Sequence, residues 1–218
     1  MVVLKRIVLY GAGGFGRETA YLIDVINYCN PGTYWFLGFL VDKEFYTPNT
    51  TINGYPLLGT DDWILNNKDV YCVCTIANNE IRERVQNTLT DKGVQFETLI
   101  APYLPIPPSA KIGKGCVIFG NVSISVNTDI GDGVFLNTGV TIGHDVKVHN
   151  YTTIMPGTGI SGACEIGEKV YIGGHAFIVP GKKIGNNAVV AAGSIVFRNV
   201  KANTTVLGNP AKRMEALE

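Results

Sequence analysis

The stretch DIGDGVFLNTGVTIGHDVKVHNYTTI, residues 129–154, decides how the chain folds. An aliphatic residue falls at every sixth position in it: Ile130, Leu136, Ile142, Val148 and Ile154. Working outward, the period runs unbroken from Ile112, Ile118 and Ile124 upstream to Ile160, Ile166, Ile172, Ile178, Ile184, Val190 and Val196 downstream. Two residues before each stands something small or β-branched, as in Ala110, Cys116, Val122, Thr128 and Val134, with Lys182 the one long exception. A six-residue repeat is the signature of a parallel β-helix, each hexapeptide forming one short flat and the aliphatic side chains stacking inside. Because the register never breaks, no long loop is expected in any coil. Function must come from the residues that point out, and flat faces of this kind pair with copies of themselves.

Residues 1–101 follow a different grammar. KRIVLYGAGG is an apolar run ending in glycines, and RETAYLIDVIN after it has the helical spacing of Ala20, Ile23 and Ile26. YWFLGFLVD and VYCVCTI read as further strands, and NNEIRERVQNTLTDKG as a helix with Asn caps at its start and Gly93 as its stop. VQFETLI closes the unit. Short buried strands separated by helices imply a small parallel sheet. APYLPIPPSA then marks a linker over 102–111, followed by the β-helix over 112–200 and a tail over 201–218.

Composition excludes several classes. With 18 basic and 18 acidic side chains among 218 residues, the chain has no electrostatic footprint for nucleic acid or an anionic membrane. No apolar run approaches the ~20 residues of a membrane span, and the apolar start is too short for a signal peptide. Five cysteines form no paired framework, and CVC at 72–74 has neither redox nor zinc-knuckle spacing. A cytoplasmic location is expected.

GAGGFG, residues 11–16, supplies Gly11, Gly13, Gly14 and Gly16 in the pattern G-x-G-x-x-G after a strand and before a helix. Glycine lets the backbone approach a phosphate, and a helix start favours its negative charge. About 100 residues are too few for both halves of a full dinucleotide fold.

Hexapeptide runs ending in VVAAGSIV and LGNPAKRM, together with GAGGFGRE and FLVD, resemble the sugar acyltransferases of the NeuD/PglD family, which includes sialic acid O-acetyltransferases. The resemblance covers nearly the whole chain. It implies an α/β N-terminal Rossmann-like subdomain and a left-handed parallel β-helix with three repeats per coil. It also implies a homotrimer with active sites between subunits, acetyl-CoA as donor, and a nucleotide-sugar as acceptor. In that family a histidine followed by an acidic residue is the base, with an asparagine seven positions before it. LNTGVTIGHD matches with Asn137, His144 and Asp145. An attacking amine or hydroxyl must lose a proton, imidazole suits that task, and an adjacent carboxylate strengthens it. With three repeats per coil Gly162 lies roughly 4.8 Å above His144. By resemblance its N–H meets the acyl carbonyl and stabilises the developing oxyanion.

Other roles are carried over in the same way. The glycine loop with Phe15 holds the pyrophosphate and sugar side, and Asp42 reaches the nucleoside. Lys212 and Arg213 suit the phosphates of CoA. Ala192 replaces a family glycine along the cofactor, and Thr153 stands where one member has a histidine nine positions after the base. Phe15 and Lys43 depart from a histidine and a second acid found in some relatives. The γ-class carbonic anhydrases offer a rival reading, because they share the β-helix and the His-x4-His spacing of His144 and His149. They need a third histidine well upstream, which this chain lacks, so no metal is expected. His149 and His175 are expected to face solvent or a subunit contact. The expected activity is N-acetylation of a nucleotide-activated, UDP-linked deoxyamino sugar for surface glycans. Acetylation of a sialic acid or other sugar hydroxyl is the alternative, and a non-catalytic nucleotide-sugar binder lies behind it.

Overall fold

A computed structural model describes residues 4–214 and divides the chain into two compact units, Met1–Pro102 and Tyr103–Glu218. The first unit runs β1 (Lys5–Tyr10), α1 (Gly14–Cys29), β2 (Tyr34–Leu40), β3 (Thr51–Ile52), β4 (Tyr55–Gly59), α2 (Asp61–Leu65), β5 (Tyr71–Cys74), α3 (Asn79–Asp91) and β6 (Gln95–Phe96). The sheet order is β3-β4-β2-β1-β5-β6, parallel except for the antiparallel β3–β4 hairpin. That hairpin turns on Asn53 and Gly54, both at positive φ (50° and 86°), the pair that suits a two-residue β-turn. Two elements here, the hairpin and α2, are additions to the strands and helices read from periodicity.

Helix α1 starts at Gly14, earlier than the periodic segment at Arg17, because the glycine loop itself winds into the first turn. Helix α3 begins as expected. Asn78 caps it, its Oδ1 accepting from the N–H groups of Glu80 (3.1 Å) and Ile81 (3.0 Å), and Gly93 leaves it at φ +87°. Cys72 and Cys74 lie in the buried centre of the sheet as free thiols, and burial pushes the Cys74 thiol up to about 11. They are core residues.

The second unit is a parallel β-helix whose two-residue strands pair at a separation of eighteen residues. Ile124, Ile142, Ile160, Ile178 and Val196 form one inward column, and Ile112, Ile130, Val148, Ile166 and Ile184 a second. Ile118, Leu136, Ile154, Ile172 and Val190 form the third. Three hexapeptides therefore make one coil, and the six-residue period read from the sequence is the spacing of its flats. Past the last regular coil, Thr205–Leu207 pairs in parallel with Val189–Val190, and Lys212–Arg213 folds back antiparallel on it.

The flats end in residues of left-handed conformation, three positions after the aliphatic one. One edge of the prism carries Asn127, Asp145, Ala163 and Gly181 in this state, with φ of 56°, 58°, 57° and 71°. Only asparagine, aspartate and glycine take it cheaply. The small residues two positions before each aliphatic fill the space inside these corners. Where they are polar, the next coil satisfies them: Thr152 Oγ1 donates to Gly167 O at 2.7 Å, Thr158 Oγ1 to Gly173 O at 3.1 Å.

The outward faces differ in chemistry. One presents Ser123, Thr141, Gly159, Phe177 and Ile195, small or apolar. Another presents Lys111, Asp129, Lys147, Glu165 and Lys183 in register, so that charge alternates from coil to coil. Among the described residues, no helix is long and apolar enough to cross a membrane.

Leu136 is fully buried at the middle of its column. Leu136→Ala is expected to cost about 2–5 kcal/mol, read as a lower midpoint of urea unfolding with unchanged slope. Ser123→Ala, on an exposed outward position of the same prism, should lie within about 0.5 kcal/mol of the parent in that measurement.

Candidate functional site

His144 and Asp145 follow the strand Thr141–Ile142 at a prism edge. The left-handed backbone of Asp145 turns its side chain back along its own residue pair. His144 Nδ1 lies 2.8 Å from Asp145 Oδ2, while Asp145 Oδ1 accepts from Asn127 Nδ2 at 3.0 Å, one coil earlier. The hydrogen bond to His144 first, then that to Asn127, holds the Asp145 carboxyl below the usual carboxylate range. It is therefore ionised at neutral pH. An ionised carboxylate only accepts. Nδ1 is consequently the donor, and the lone pair of the neutral imidazole is on Nε2.

Nε2 lies over Gly162. A Cβ built on Gly162 would stand 2.4 Å from Nε2 and 2.6 Å from Cε1, so only glycine leaves the ring its place. The edge that holds Gly162 also differs from a neighbouring one. On a neighbouring edge, an Asx side chain one coil further on caps the equivalent N–H: Asp132 that of Lys114 (2.7 Å), Asn150 that of Asp132 (2.9 Å), Asn186 that of Glu168 (3.0 Å). One coil beyond Gly162 stands Pro180, with nothing to offer. Among the described residues the Gly162 N–H has no hydrogen-bond acceptor. A bare imidazole nitrogen thus lies beside a glycine whose N–H is open among the described residues.

Asn137 sits one flat earlier, and its amide oxygen accepts from the Thr138 N–H at 2.7 Å. Its side chain is hydrogen-bonded there and not to the imidazole. Thr153, expected among the cofactor contacts, is 5% exposed in this chain. Ala192 is exposed and lies against Gly173, where a Cβ would meet the Ala192 backbone nitrogen at 2.5 Å. His149 faces outward and lies 3.3 Å from Glu165 Oε1, a carboxylate shared with Lys183 (2.8 Å). His175 is exposed at a corner in left-handed conformation, against Gly157. Among the described residues no group of three or more His, Cys, Asp or Glu side chains is placed to hold a metal ion.

Lys212 and Arg213 line a cleft of about 390 Å³ with Arg198 and Lys201, and no acidic side chain joins them. Arg198 and Lys201 are additions to the sequence reading. Arg198 lies on the edge of His144, Gly162 and Pro180, three coils beyond the histidine, about 14 Å at the usual spacing of stacked strands.

In the first unit the glycines divide the work. Gly11 turns at φ +117°, tied by Thr75 Oγ1 donating to its carbonyl at 2.7 Å. A Cβ on Gly16 would stand 2.1 Å from the Gly11 carbonyl oxygen, so this glycine lets α1 approach β1. Gly13 and Gly14 have nothing within 4 Å of a built Cβ and face open space. Gly13 caps α1 without a side-chain hydrogen bond, and the first turn carries no acid, so the helix dipole there favours an anion. Phe15 is half-buried beside them. Beyond the loop opens a cleft of about 430 Å³, lined by Tyr10, Gly11 to Gly13, Val41, Asp42, Phe45, Ile76 and Ile81, among others. Arg82, fully buried, holds the start of the 76–81 segment through Ile76 O (2.9 Å) and Ala77 O (3.3 Å).

Comparison with known proteins points the same way. The PglD N-terminal domain model matches residues 6–89, and the bacterial transferase hexapeptide model (six repeats) matches 127–162 and 145–180. The chain is 32% identical to GDP-perosamine N-acetyltransferase of Escherichia coli O157:H7, covering 95% of each. Among solved structures, the acetyltransferase domain of PglB from Neisseria gonorrhoeae FA1090 in complex with acetyl coenzyme A superposes with a TM-score of 0.87 at 28% identity. That match covers 97% of this chain and 100% of the other. WeeI from Acinetobacter baumannii AYE gives 0.84 at 29%, over 96% and 100%.

Gly162→Ala is expected to drive the imidazole off Asp145. Nitrogen NMR of the histidine ring should then show the Nδ1–H of His144 losing its protection, with the β-helix core unchanged.

Proposed function

The chain belongs to the NeuD/PglD-type family of acetyl-CoA-dependent sugar acyltransferases, and on that premise we propose that it acetylates the amino group of a nucleotide-linked deoxyamino sugar. The observation that carries the reading is the His144–Asp145 pair with Nε2 beside Gly162, whose N–H is open among the described residues. Asp145 holds the ring through Nδ1. Nε2 accepts the proton of the acceptor amine as its nitrogen attacks the thioester carbonyl. The Gly162 N–H receives the charge that grows on the carbonyl oxygen. As the carbon–sulfur bond breaks, the proton passes from the imidazolium to the departing thiolate of CoA. A base of this kind contributes roughly 10²–10⁴ in rate, and an oxyanion donor roughly 10²–10³.

The donor extends along the edge that His144 begins. Gly162 and Pro180 leave that lane low, and Arg198, Lys201, Lys212 and Arg213 at its far end suit the phosphates of CoA. The acceptor's pyrophosphate lies against Gly13 and Gly14 at the start of α1, with Asp42 toward the nucleoside. Asn137 keeps its amide nitrogen to place the acceptor. The left-handed sense of the coil and a Rossmann-type first unit belong to the same proposal. So do a cytoplasmic location and a homotrimer, the latter supported by the small, apolar outward face with Val126, Phe177 and Phe197 exposed near it. The similar E. coli enzyme carries GDP in its name, so a GDP-linked amino sugar joins the UDP-linked one expected from the sequence.

Thiol release from acetyl-CoA, measured over GDP-, UDP- and dTDP-linked amino sugars and free sialic acid, tests the reading. Turnover is expected on one nucleotide-linked amino sugar and should fall a hundredfold or more in His144→Ala. Activity confined to sialic acid would move the acceptor to a hydroxyl. Silence with retained nucleotide binding would leave a binding protein. Arg213→Ala should raise KM for acetyl-CoA severalfold and alter kcat little, a difference that about 0.5 M salt should shrink.

A further inference from the structure

Asp42 is not alone in its cleft. Tyr10, the last residue of β1, is buried, and its hydroxyl donates to Asp42 Oδ1 at 2.8 Å. Burial first, then the hydrogen bond to Asp42, holds the phenol far above its ordinary value, so it remains protonated at any working pH. A phenol has one proton to give, and here it is given to Oδ1. The carboxylate is thereby fixed in rotation, with Oδ2 as the acceptor left for a ligand. An ionised carboxylate accepts and cannot donate, so whatever lies against Oδ2 must bring a donor.

The topology says which part of a nucleotide that is. The open glycines and the α1 start follow β1, and Asp42 stands just past the end of β2, the neighbouring parallel strand. With phosphate at the first loop, an acid at the end of the second strand falls level with the sugar next to it. The remaining wall of the cleft is largely apolar, with Val41, Ile52, Leu57, Ile76 and Ile81 beside Thr47 and Thr50, and suits the face of a base.

We infer that Tyr10 is a positioning residue that aims Asp42 at the ribose hydroxyls, and that the cleft therefore selects ribonucleoside diphosphates over their 2′-deoxy counterparts. The inference rests on the nucleotide-sugar reading above and narrows it: dTDP-linked sugars are excluded as acceptors whatever their amino group.

Calorimetric titration of the full chain with GDP, 2′-deoxy-GDP, UDP and 2′-deoxy-UDP tests this. The parent should bind the better ribonucleotide about tenfold or more tightly than its deoxy partner, the weight of one hydrogen bond to a charged group. Tyr10→Phe keeps the ring and removes only the donor; it should cut that ratio to less than threefold with the thermal midpoint retained. Asp42→Asn should do the same. Equal binding of ribo and deoxy forms by the parent would overturn the inference, as would a ratio untouched by Tyr10→Phe. So would a change in guanine-over-uracil preference alone, because a merely structural tyrosine or a base-reading Asp42 would produce it. If none of the four binds, the nucleotide reading itself falls and takes the inference with it.

Discussion

Everything in the second unit depends on one backbone requirement: a flat of two paired residues must be followed, within six, by a turn through left-handed φ. That turn redirects the chain toward the next flat, and three turns return it to its starting edge one strand spacing further on. The aliphatic columns and their small inner neighbours follow from that closure, because only a residue directly above its counterpart can fill the same pocket in each coil. The requirement is met by asparagine and glycine along most corners and by Asp145 at the candidate site. There the same conformation that closes the coil brings the carboxylate beside the preceding imidazole.

Stacking also explains how distant residues become neighbours. Asn127 steadies Asp145, and Gly162 makes room for His144, each from one coil away. The first unit reaches a comparable result by other means. Close approach of α1 to β1 at Gly16, and the ties from Thr75 and Arg82, hold the loops around a cleft with open glycines at one end. In both units rigid backbone comes first, and the polar groups are those the regular pattern leaves unpaired.

The β-helix was legible because its period is one-dimensional: the core residue Ile142 announces another six places on, at Val148, without knowledge of the fold. His144, Asp145 and Gly162 were legible once resemblance supplied three repeats per coil. Asn127 could have been found from the same number, since it stands eighteen residues before Asp145. Asn53 followed by Gly54 is a plain hairpin signal that the apolar periodicity around it is too short to support. Tyr10 and Arg82 carried no signal. One reads as an ordinary aromatic strand end and the other as an exposed helix charge, and only the packing reveals their partners. Thr153 is covered although it stands at an outward position of its flat.

The equality of the flats has a consequence for how such a chain can change length. Adding six residues to the prism would preserve every aliphatic contact and every corner, so stability alone would tolerate it. Yet it would rotate all that follows by a third of a turn, carrying Arg198 to a different edge from His144. Adding eighteen would keep them on one edge and lengthen the span between them by a single strand spacing. The core thus counts in sixes while the chemistry counts in eighteens, and insertions that survive in this architecture are filtered by phase before they are filtered by fold.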